Sequence, residues 1–348
     1  MGIKVLFICK LRSIYGGDSY GSYGSFGLRN SARFVSEALS KLGIENKVVE
    51  VIDNNCINKE VHDYRPTHVI IEALWVVPEK FPILIKLHPS VHWYVRIHSE
   101  IPFLSNEGVA IQWIKSYADL MKQYDKFHIS GNSRAFVDDI MNAMGIQCVY
   151  QPNIYEVSVS LVDFVKSGFK KYEKDTLEIG CFGAIRPLKN FLTQAFAAII
   201  FADKVGKKIR FHINSGRVEQ RGEPVLRNLQ NLFPINGHEL VEHPWLPHDE
   251  FLNVVKSMDL GMQVSLSESF NIVAADFVSQ NIPIVVSNEI PWMPFWTQVR
   301  PGLVKSIVNR LLLIYKTSTY SVGSLNLFHL HLHNKKSKQS WLESLGVA

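Results

Sequence analysis

Short apolar runs alternate with amphipathic stretches along most of the 348 residues, and this alternation constrains the fold more than any other feature of the chain. In the first half, the predicted strands lie at residues 4–9, 46–52, 67–74, 93–99, 126–130 and 146–153. Between them, residues 28–42 and 132–145 carry apolar side chains at the spacing of a helix, and a glycine closes each stretch. Strands separated by helices form right-handed βαβ units, so the first half predicts a parallel α/β sheet.

A polar stretch at residues 165–176 interrupts the alternation, and we interpret it as a linker between two domains. Beyond it, the predicted strands lie at residues 177–183, 208–214, 238–243, 260–266 and 282–287, with helices between them. We therefore expect a Rossmann-like domain over residues 1–160, a second over 161–300 and a helical segment over 301–348. In such sheets, ligands bind at the carboxyl ends of the strands, where loops and helix N-termini direct backbone N–H groups outward.

Composition and charge restrict the classes of partner. Hydrophobic residues make up 47% and charged residues 20% of the chain, as in a globular protein. No apolar run reaches the ~20 residues that cross a bilayer, and the first run is short for a secretory signal, so we expect a soluble, cytoplasmic protein. The net charge of +5 suits an anionic ligand such as a nucleotide diphosphate, but it also permits nucleic acid or a membrane surface.

Cysteines and histidines give no sign of a metal centre. The four cysteines, Cys9, Cys56, Cys148 and Cys181, are scattered without close pairs. This spacing favours buried reduced thiols over a zinc site or a disulfide framework. The thirteen histidines show no HExxH or Cys/His spacing. The sequence therefore predicts no metal ligands.

The segment SESFNIVAADFVSQNIPIVVS, residues 267–287, carries the most specific chemistry. Glu268 follows a predicted strand, and Asp276 lies about five residues into the next helix, roughly 7–8 Å along its axis. The N–H donors at the start of that helix suit a diphosphate. Asp276 can accept hydrogen bonds from the vicinal hydroxyls of a ribose, and Glu268 can hold hydroxyls of a sugar. An ordinary amphipathic helix with two chance acids is the alternative.

This segment resembles the E-x7-E signature of retaining GT-B glycosyltransferases of the glycosyltransferase family 4 type. Glu268, Phe270 and the Pro283 strand match that signature, and the resemblance implies that Phe270, Asn271, Ile272 and Asp276 bind the donor. Three positions depart from it: Asn271 and Asn281 replace glycines, and Asp276 replaces a glutamate. Asparagine tolerates positive φ better than other non-glycine residues, so those two changes are mild. The aspartate shortens the reach to a ribose by one methylene.

A second segment, IGCFGAIRPLKNF at residues 179–191, resembles the Gly-Arg-x4-Lys-Gly element of the same family. A predicted strand ends at Gly183, and Arg186 and Lys189 follow before a helix. The resemblance assigns these two cations to the donor pyrophosphate. A nucleoside diphosphate gains negative charge as it leaves, and fixed cations stabilise that charge. The alternative is a solvated basic loop.

Two weaker segments lie in the first half. The loop RSIYGGDSYGSYGSFG, residues 12–27, follows the first strand and is rich in glycine, serine and tyrosine. The resemblance places Gly16 and Gly17 near the donor phosphates, whereas a flexible surface loop is the alternative. In RIHSE, His98 matches a family histidine near the donor sugar, and Arg96 and Glu100 are weaker candidates. A lone histidine is more often structural.

The resemblance covers roughly residues 4–290 and implies two Rossmann-like lobes whose parallel sheets face a central cleft. It further implies donor binding in the second lobe, acceptor binding in the first and a C-terminal segment that crosses back to the first. The implied activity is hexosyl or pentosyl transfer from a nucleotide diphosphate sugar, with retention of configuration and no cofactor. Asp138 and Asp139 lie within a predicted helix and not at a strand end, so we expect catalysis without a metal ion.

The acceptor and two other classes of function stay open. A glycan, a lipid-linked sugar, a protein and the hydroxylated bases of modified DNA all fit as acceptors, and peripheral membrane contact is compatible with the charge. A phosphorylase or epimerase of the same fold would act without net transfer to an acceptor. A catalytically silent nucleotide-binding protein is the third alternative, which the substitutions at Asn271, Asp276 and Asn281 favour.

Overall fold

The structure, a computed structural model, describes residues 2–11, 26–157, 172, 174–317 and 319–347. The chain divides into two compact units. The first unit comprises Met1–Glu156 together with His333–Ala348, and the second comprises Val157–Leu332. Each unit contains one six-stranded sheet in which all neighbouring strands are parallel. The parallel α/β architecture predicted from the alternating pattern is therefore confirmed.

The sheet of the first unit has the strand order β2-β1-β3-β4-β5-β6. Its strands are β1 Lys4–Lys10, β2 Glu45–Val51, β3 His68–Glu72, β4 His92–Ile97, β5 Phe127–Gly131 and β6 Val149–Tyr150. Its helices are α1 Phe26–Lys41, α2 Ile57–Tyr64, α3 Lys80–Leu87, α4 Ile101–Leu104, α5 Ala110–Gln123 and α6 Arg134–Met144. The Ser133 side chain caps α6 through the amide of Phe136 at 3.1 Å, and Gly145 ends it with a φ of 66°.

Successive residues of β1 enter opposite hydrophobic cores, because side chains alternate across a strand. Leu6 and Ile8 join one core, whereas Val5 and Phe7 join the other. The second of these cores also receives Trp341 from the C-terminal segment. Both faces of the sheet are thus covered, which explains why its central strands are almost continuously apolar.

The sheet of the second unit has the order β12-β11-β10-β7-β8-β9. Its strands are β7 Thr176–Gly180, β8 Lys208–Asn214, β9 Glu239–His243, β10 Leu260–Gln263, β11 Ile284–Ser287 and β12 Gln298–Val299. Its helices are α7 Phe191–Val205, α8 Glu223–Leu232, α9 His248–Lys256, α10 Ile272–Ser279 and α11 Val304–Lys316. The last helix, α12 Thr319–Ser344, begins in the second unit and contributes its residues from His333 onward to the first.

Several element boundaries differ from the sequence prediction. The predicted strand 146–153 contains only the two residues of β6, because Gln151 makes one more ladder bond and Pro152 then has no N–H to continue. The strand predicted to end at Gly183 ends at Gly180, and Gly183 instead adopts a φ of 119° in the following loop. Within the described part of the chain, no helix is both long and apolar enough to span a membrane.

Candidate functional site

The strand order of the second unit reverses between β7 and β10, so the loops after these two strands lie side by side at the carboxyl edge of the sheet. Such a reversal is where ligands bind in open α/β sheets. The loop after β7 carries Arg186 and ends in a 3₁₀ turn, Pro187–Lys189. The loop after β10 carries Glu268, and its Leu266 amide donates to the carbonyl of Leu188 at 2.8 Å. We call Arg186, Lys189, Glu268 and the start of α10 the switch site.

Lys189 and Glu268 form an ion pair across the switch site. The ammonium of Lys189 donates to Glu268 Oε1, and each side chain keeps only 10% of its surface exposed. Ser265 Oγ donates to the same carboxylate at 3.2 Å. Burial lowers the pKa of Lys189, Glu268 opposes this shift, and the neighbouring Arg186 adds to it. The structure thus brings together two residues that the sequence reasoning took from segments about 80 positions apart.

Arg186 faces an acid that the sequence analysis did not single out. Its Nη1 lies 3.9 Å from Oε2 of Glu219, which stands in the loop after β8. Arg217 Nε donates to the other oxygen of Glu219 at 2.7 Å. These three side chains are about one-fifth exposed, so they are partly accessible to a ligand.

The start of α10 is built around Asn271. Its backbone has a φ of 65°, and Asn281 after the helix has a φ of 57°, as their replacement of glycines predicts. The Asn271 side chain accepts from the Ala274 amide at 2.8 Å and donates to Gln263 at 2.9 Å. Asn271 therefore ties the helix start to the end of β10, while Ile272 is the first residue of the helix proper.

Phe270 lies directly before this helix and is buried. Its ring stacks on Trp292 with centroids 5.5 Å apart, and Trp292 Nε1 donates to the Phe270 carbonyl at 2.7 Å. Phe270 acts here as an apolar anchor that fixes the chain entering α10. A contact between its side chain and a donor stays a prediction.

Asp276 lies inside α10 and is almost fully buried, with 2% of its side chain exposed. Its carboxylate accepts from Nε2 of His248, the first residue of α9, at 2.7 Å. The pair joins the two helices on that side of the sheet. The ribose contact inferred for Asp276 stays a prediction, and the structure adds that His248 shares this carboxylate.

His98 belongs to a separate polar cluster in the first unit, at the carboxyl ends of β3 and β4. Arg96 Nη1 donates to both oxygens of Glu72, at 3.1 and 3.0 Å, and both side chains are fully buried. Nε2 of His98 bonds the same carboxylate. Nδ2 of Asn132 lies 3.3 Å from Nδ1 of His98. Arg96 also donates to Asn153 at 2.5 Å.

The charges in this cluster set the protonation of His98. Burial by itself would raise the pKa of Glu72, but Arg96 and His98 hold it below its ordinary value. Burial and then Arg96 lower the pKa of His98. An ionised Glu72 only accepts, so a neutral His98 carries its proton on Nε2 and presents Nδ1 as an acceptor.

The remaining predicted residues lie elsewhere. Gly16 and Gly17 fall outside the described residues. Glu100 is buried and precedes α4. All four cysteines are free thiols: Cys9 and Cys181 are buried, as predicted, whereas Cys56 and Cys148 are only partly buried. Among the residues that the structure describes, no three His, Cys, Asp or Glu side chains are grouped so that they could hold a metal ion.

Comparison with solved structures establishes the fold. A glycosyltransferase from Rickettsia africae is 12% identical, with a TM-score of 0.67 over 99% of this chain and 98% of that one. A UDP-forming α,α-trehalose-phosphate synthase from Burkholderia xenovorans is 13% identical, with a TM-score of 0.58 over 84% and 78%. The N-terminal domain of a trehalose-6-phosphate phosphatase from Candida albicans is 10% identical, with a TM-score of 0.61 over 99% and 97%.

These structural similarities confirm the predicted fold class, an α/β protein of the GT-B type. No protein-family model matches the chain, and no curated protein matches it in sequence. At identities of 10 to 13%, the likeness extends to the fold alone.

Proposed function

We propose that this chain is a glycosyltransferase that moves a hexosyl or pentosyl group from a nucleotide diphosphate sugar to an acceptor. The observation that carries the proposal is the switch site. Lys189 from the loop after β7 pairs there with Glu268 from the loop after β10, Arg186 precedes the same 3₁₀ turn, and Asn271 caps α10 three residues after Glu268. Lys189 and Arg186 would neutralise the diphosphate, and the helix start would supply N–H donors.

The chemistry asked of these residues is stabilisation of a leaving group. When the glycosidic bond breaks, the nucleoside diphosphate keeps the bonding electrons and gains negative charge. The Lys189 ammonium is already desolvated and fixed, so it stabilises that charge without reorganising. Its present partner Glu268 would then turn to the hydroxyls of the transferred sugar.

The finer parts of the proposal rest on the resemblance to glycosyltransferase family 4, which residues 267–287 carry together with the segments around Arg186, His98 and Gly16. They are retention of configuration, catalysis without a metal ion, a ribose contact from Asp276 and a sugar contact from His98. Gly16 and Gly17 are proposed to meet the donor phosphates on the same basis.

Thermal shift with UDP-, GDP- and ADP-sugars tests donor binding first, and uridine leads because one structural neighbour is a UDP-forming enzyme. The nucleotide that raises the melting temperature is then combined with glycans, lipid-linked sugars, proteins and hydroxymethylated DNA to find the acceptor. A steep loss of acceptor binding with salt would favour DNA. If none of these nucleotides shifts the melting temperature of the wild type, the proposal is wrong.

A silent nucleotide-binding protein is the second candidate, and the burial of Asp276 against His248 favours it. A buried carboxylate that already has a partner is less available to a ribose. Donor hydrolysis or transfer by the purified chain, followed as nucleoside diphosphate release, separates the two candidates. Release of a nucleoside diphosphate above the level of an Arg186→Ala, Lys189→Ala double variant supports the enzyme. Binding without any release supports the silent protein.

A further inference from the structure

Glu219 contacts two arginines, Arg186 and Arg217, at the edge of the switch site, and it is closer to Arg217. Its Oε1 accepts from both Nε and Nη2 of Arg217, the first at 2.7 Å. Its Oε2 lies 3.9 Å from Nη1 of Arg186, which is an ion-pair distance but too long for a hydrogen bond. Glu219 is therefore bound tightly to Arg217 and only loosely to Arg186.

The backbone explains why these three side chains meet. Ile185 and Val218 form a parallel bridge, in which the Ile185 amide donates to the Arg217 carbonyl and the Glu219 amide donates to the Ile185 carbonyl, both at 2.9 Å. Residues 217 and 219 share one side of this extended segment, because side chains alternate along it. The bridge places Arg186 beside Glu219 on that side.

Two further contacts fix Arg217. Its guanidinium lies over the ring of Trp245, 4.7 Å from the ring centroid. Gly216 brings the chain against the Trp245 amide so closely that a Cβ at that position would stand 2.8 Å from the amide nitrogen. Arg217 thus contacts both the Trp245 ring and the Glu219 carboxylate, and these two contacts restrain its guanidinium.

We propose that Glu219 is an internal competitor for Arg186, and that Arg217 is the positioning residue that restrains it. This inference rests on the proposed function, since Arg186 is one of the two cations assigned to the donor diphosphate. A carboxylate that closed fully on Arg186 would occupy the donors that a phosphate needs. By holding one oxygen of Glu219, Arg217 keeps the other at 3.9 Å and so sets the affinity for the nucleoside diphosphate.

A double-mutant cycle tests this arrangement, with the binding of UDP, GDP and ADP measured by calorimetry. Glu219→Gln should tighten binding about threefold to tenfold, because the competing charge is gone. Arg217→Ala should weaken binding by a similar factor, because Glu219 can then close on Arg186. In the Arg217→Ala, Glu219→Gln double variant, affinity should return to the level of Glu219→Gln alone.

Arg217 as a direct phosphate ligand gives a different pattern, which overturns the proposal. The double variant would then stay weaker than Glu219→Gln, by the full factor lost in Arg217→Ala. An unchanged affinity in Glu219→Gln overturns it as well. Arg217→Lys keeps one charged donor for Glu219 and should restore part of the affinity. Arg227→Ala, an exposed arginine on α8, is the matched control and should change nothing.

The controls separate this inference from the proposed function. If the wild type binds a nucleoside diphosphate and Arg186→Ala weakens that binding, the donor site is supported. The double-mutant cycle then tests only the role of Glu219. If the wild type binds none of the three nucleotides, the proposed function fails and this inference fails with it. Melting temperatures within a few degrees of the wild type show that each variant is folded.

Discussion

The two units use the same architecture but place their charged residues differently. In the first unit, Glu72 and Arg96 at the carboxyl edge are fully buried and satisfy each other. In the second, the pair Lys189 and Glu268 keeps 10% of each side chain exposed, and the arginines around Glu219 keep about a fifth. The strand order differs as well. In the first sheet, the chain crosses from β2 to the other side of β1 to add β3, whereas in the second it crosses from β9 to the other side of β7 to add β10.

The two pairs differ in how far a ligand could reach them. A fully buried pair contributes little when both partners are present, but removing one partner leaves a charge without compensation. A pair at the edge of solvent can exchange its partner for a ligand. Substitutions in the first cluster should therefore lower stability, whereas substitutions in the switch site should lower binding and transfer.

Arg96→Ala should give the largest effect on stability, a loss of about 3–5 kcal/mol in the free energy of unfolding, because Glu72 is left buried beside only His98. Denaturant unfolding followed by circular dichroism measures it. Replacing Glu72 and Arg96 together by Leu and Met should cost far less, since no charge remains buried. Equal losses in the single and double variants would contradict this account.

Lys189→Ala should destabilise the chain less than Arg96→Ala, because Ser265 still donates to Glu268, and it should lower the rate of transfer roughly a hundredfold or more, which is about 3 kcal/mol. The rate of nucleoside diphosphate release from the donor is the measurement. Lys204→Ala removes an exposed lysine from α7 and serves as the control. If Lys189→Ala releases nucleoside diphosphate as fast as the wild type, Lys189 has no part in the mechanism. The contrast drawn between the two units would then be wrong.

Acid should weaken the first unit before the second. The ladder of His68, His92 and His128 crosses β3, β4 and β5, with neighbouring rings stacked at 5.0 and 6.0 Å. Burial lowers all three pKa values, that of His68 to about 4. In the second unit, burial also lowers the pKa values of His212, His243 and His329, but Glu178, which bonds His212 at 2.5 Å, partly offsets the lowering at His212.

The sign of this pH effect follows from proton binding. Below pH 6.5, the unfolded chain protonates His68 while the folded chain keeps it neutral down to about pH 4, and the lowered pKa values of His92 and His128 act in the same direction. Stability is therefore full above about pH 6.5 and falls by about 2 kcal/mol toward pH 4. Between pH 6.5 and pH 4, the melting temperature should depend less on pH in His68→Leu than in the wild type. His62→Leu, an exposed control, should follow the wild type. Parallel curves for wild type and His68→Leu would contradict the assignment.

The smallest expected effect is the difference in the free energy of unfolding between two helix-cap variants, one in each unit. Ser133→Ala removes the cap of α6 and should cost about 1 kcal/mol in the free energy of unfolding. Asn271→Gly removes the cap of α10 but relieves a positive φ, so its net cost should be only a few tenths of a kcal/mol. Chemical unfolding of both variants measures the difference. A larger cost at Asn271 would show that its bond to Gln263 matters more than its conformation.

Much of the fold could be predicted because its pattern is local. The alternation of apolar runs and helical stretches predicts most strands of both sheets, and the resemblance to the family signature predicts positive φ at Asn271 and Asn281. The short helices α2 and α3 were missed, because eight residues give too few turns for a clear period. The two-residue strand β12 has no sequence signal of its own.

The candidate site was predictable only where it follows strand ends that resemble a known motif. Lys189 and Glu268 come from such segments. Arg217 and Glu219 do not, since they meet Arg186 only through the tertiary bridge between residues 185 and 218. Glu72 has a sequence signal of its own, because an acid inside the apolar run THVIIEAL, in the strand next to the one that carries Arg96, indicates a buried pair.

The path of α12 has a consequence for biosynthesis. Trp341 and Leu345 complete a hydrophobic core that Val5 and Phe7 began, and the ring of Trp341 lies 5.2 Å from the guanidinium of Arg96. A ribosome makes the N-terminal part of that core first and its last side chains only after the entire second unit has emerged. Until then, the nascent first unit lacks the apolar side chains of Trp341 and Leu345 that complete this core.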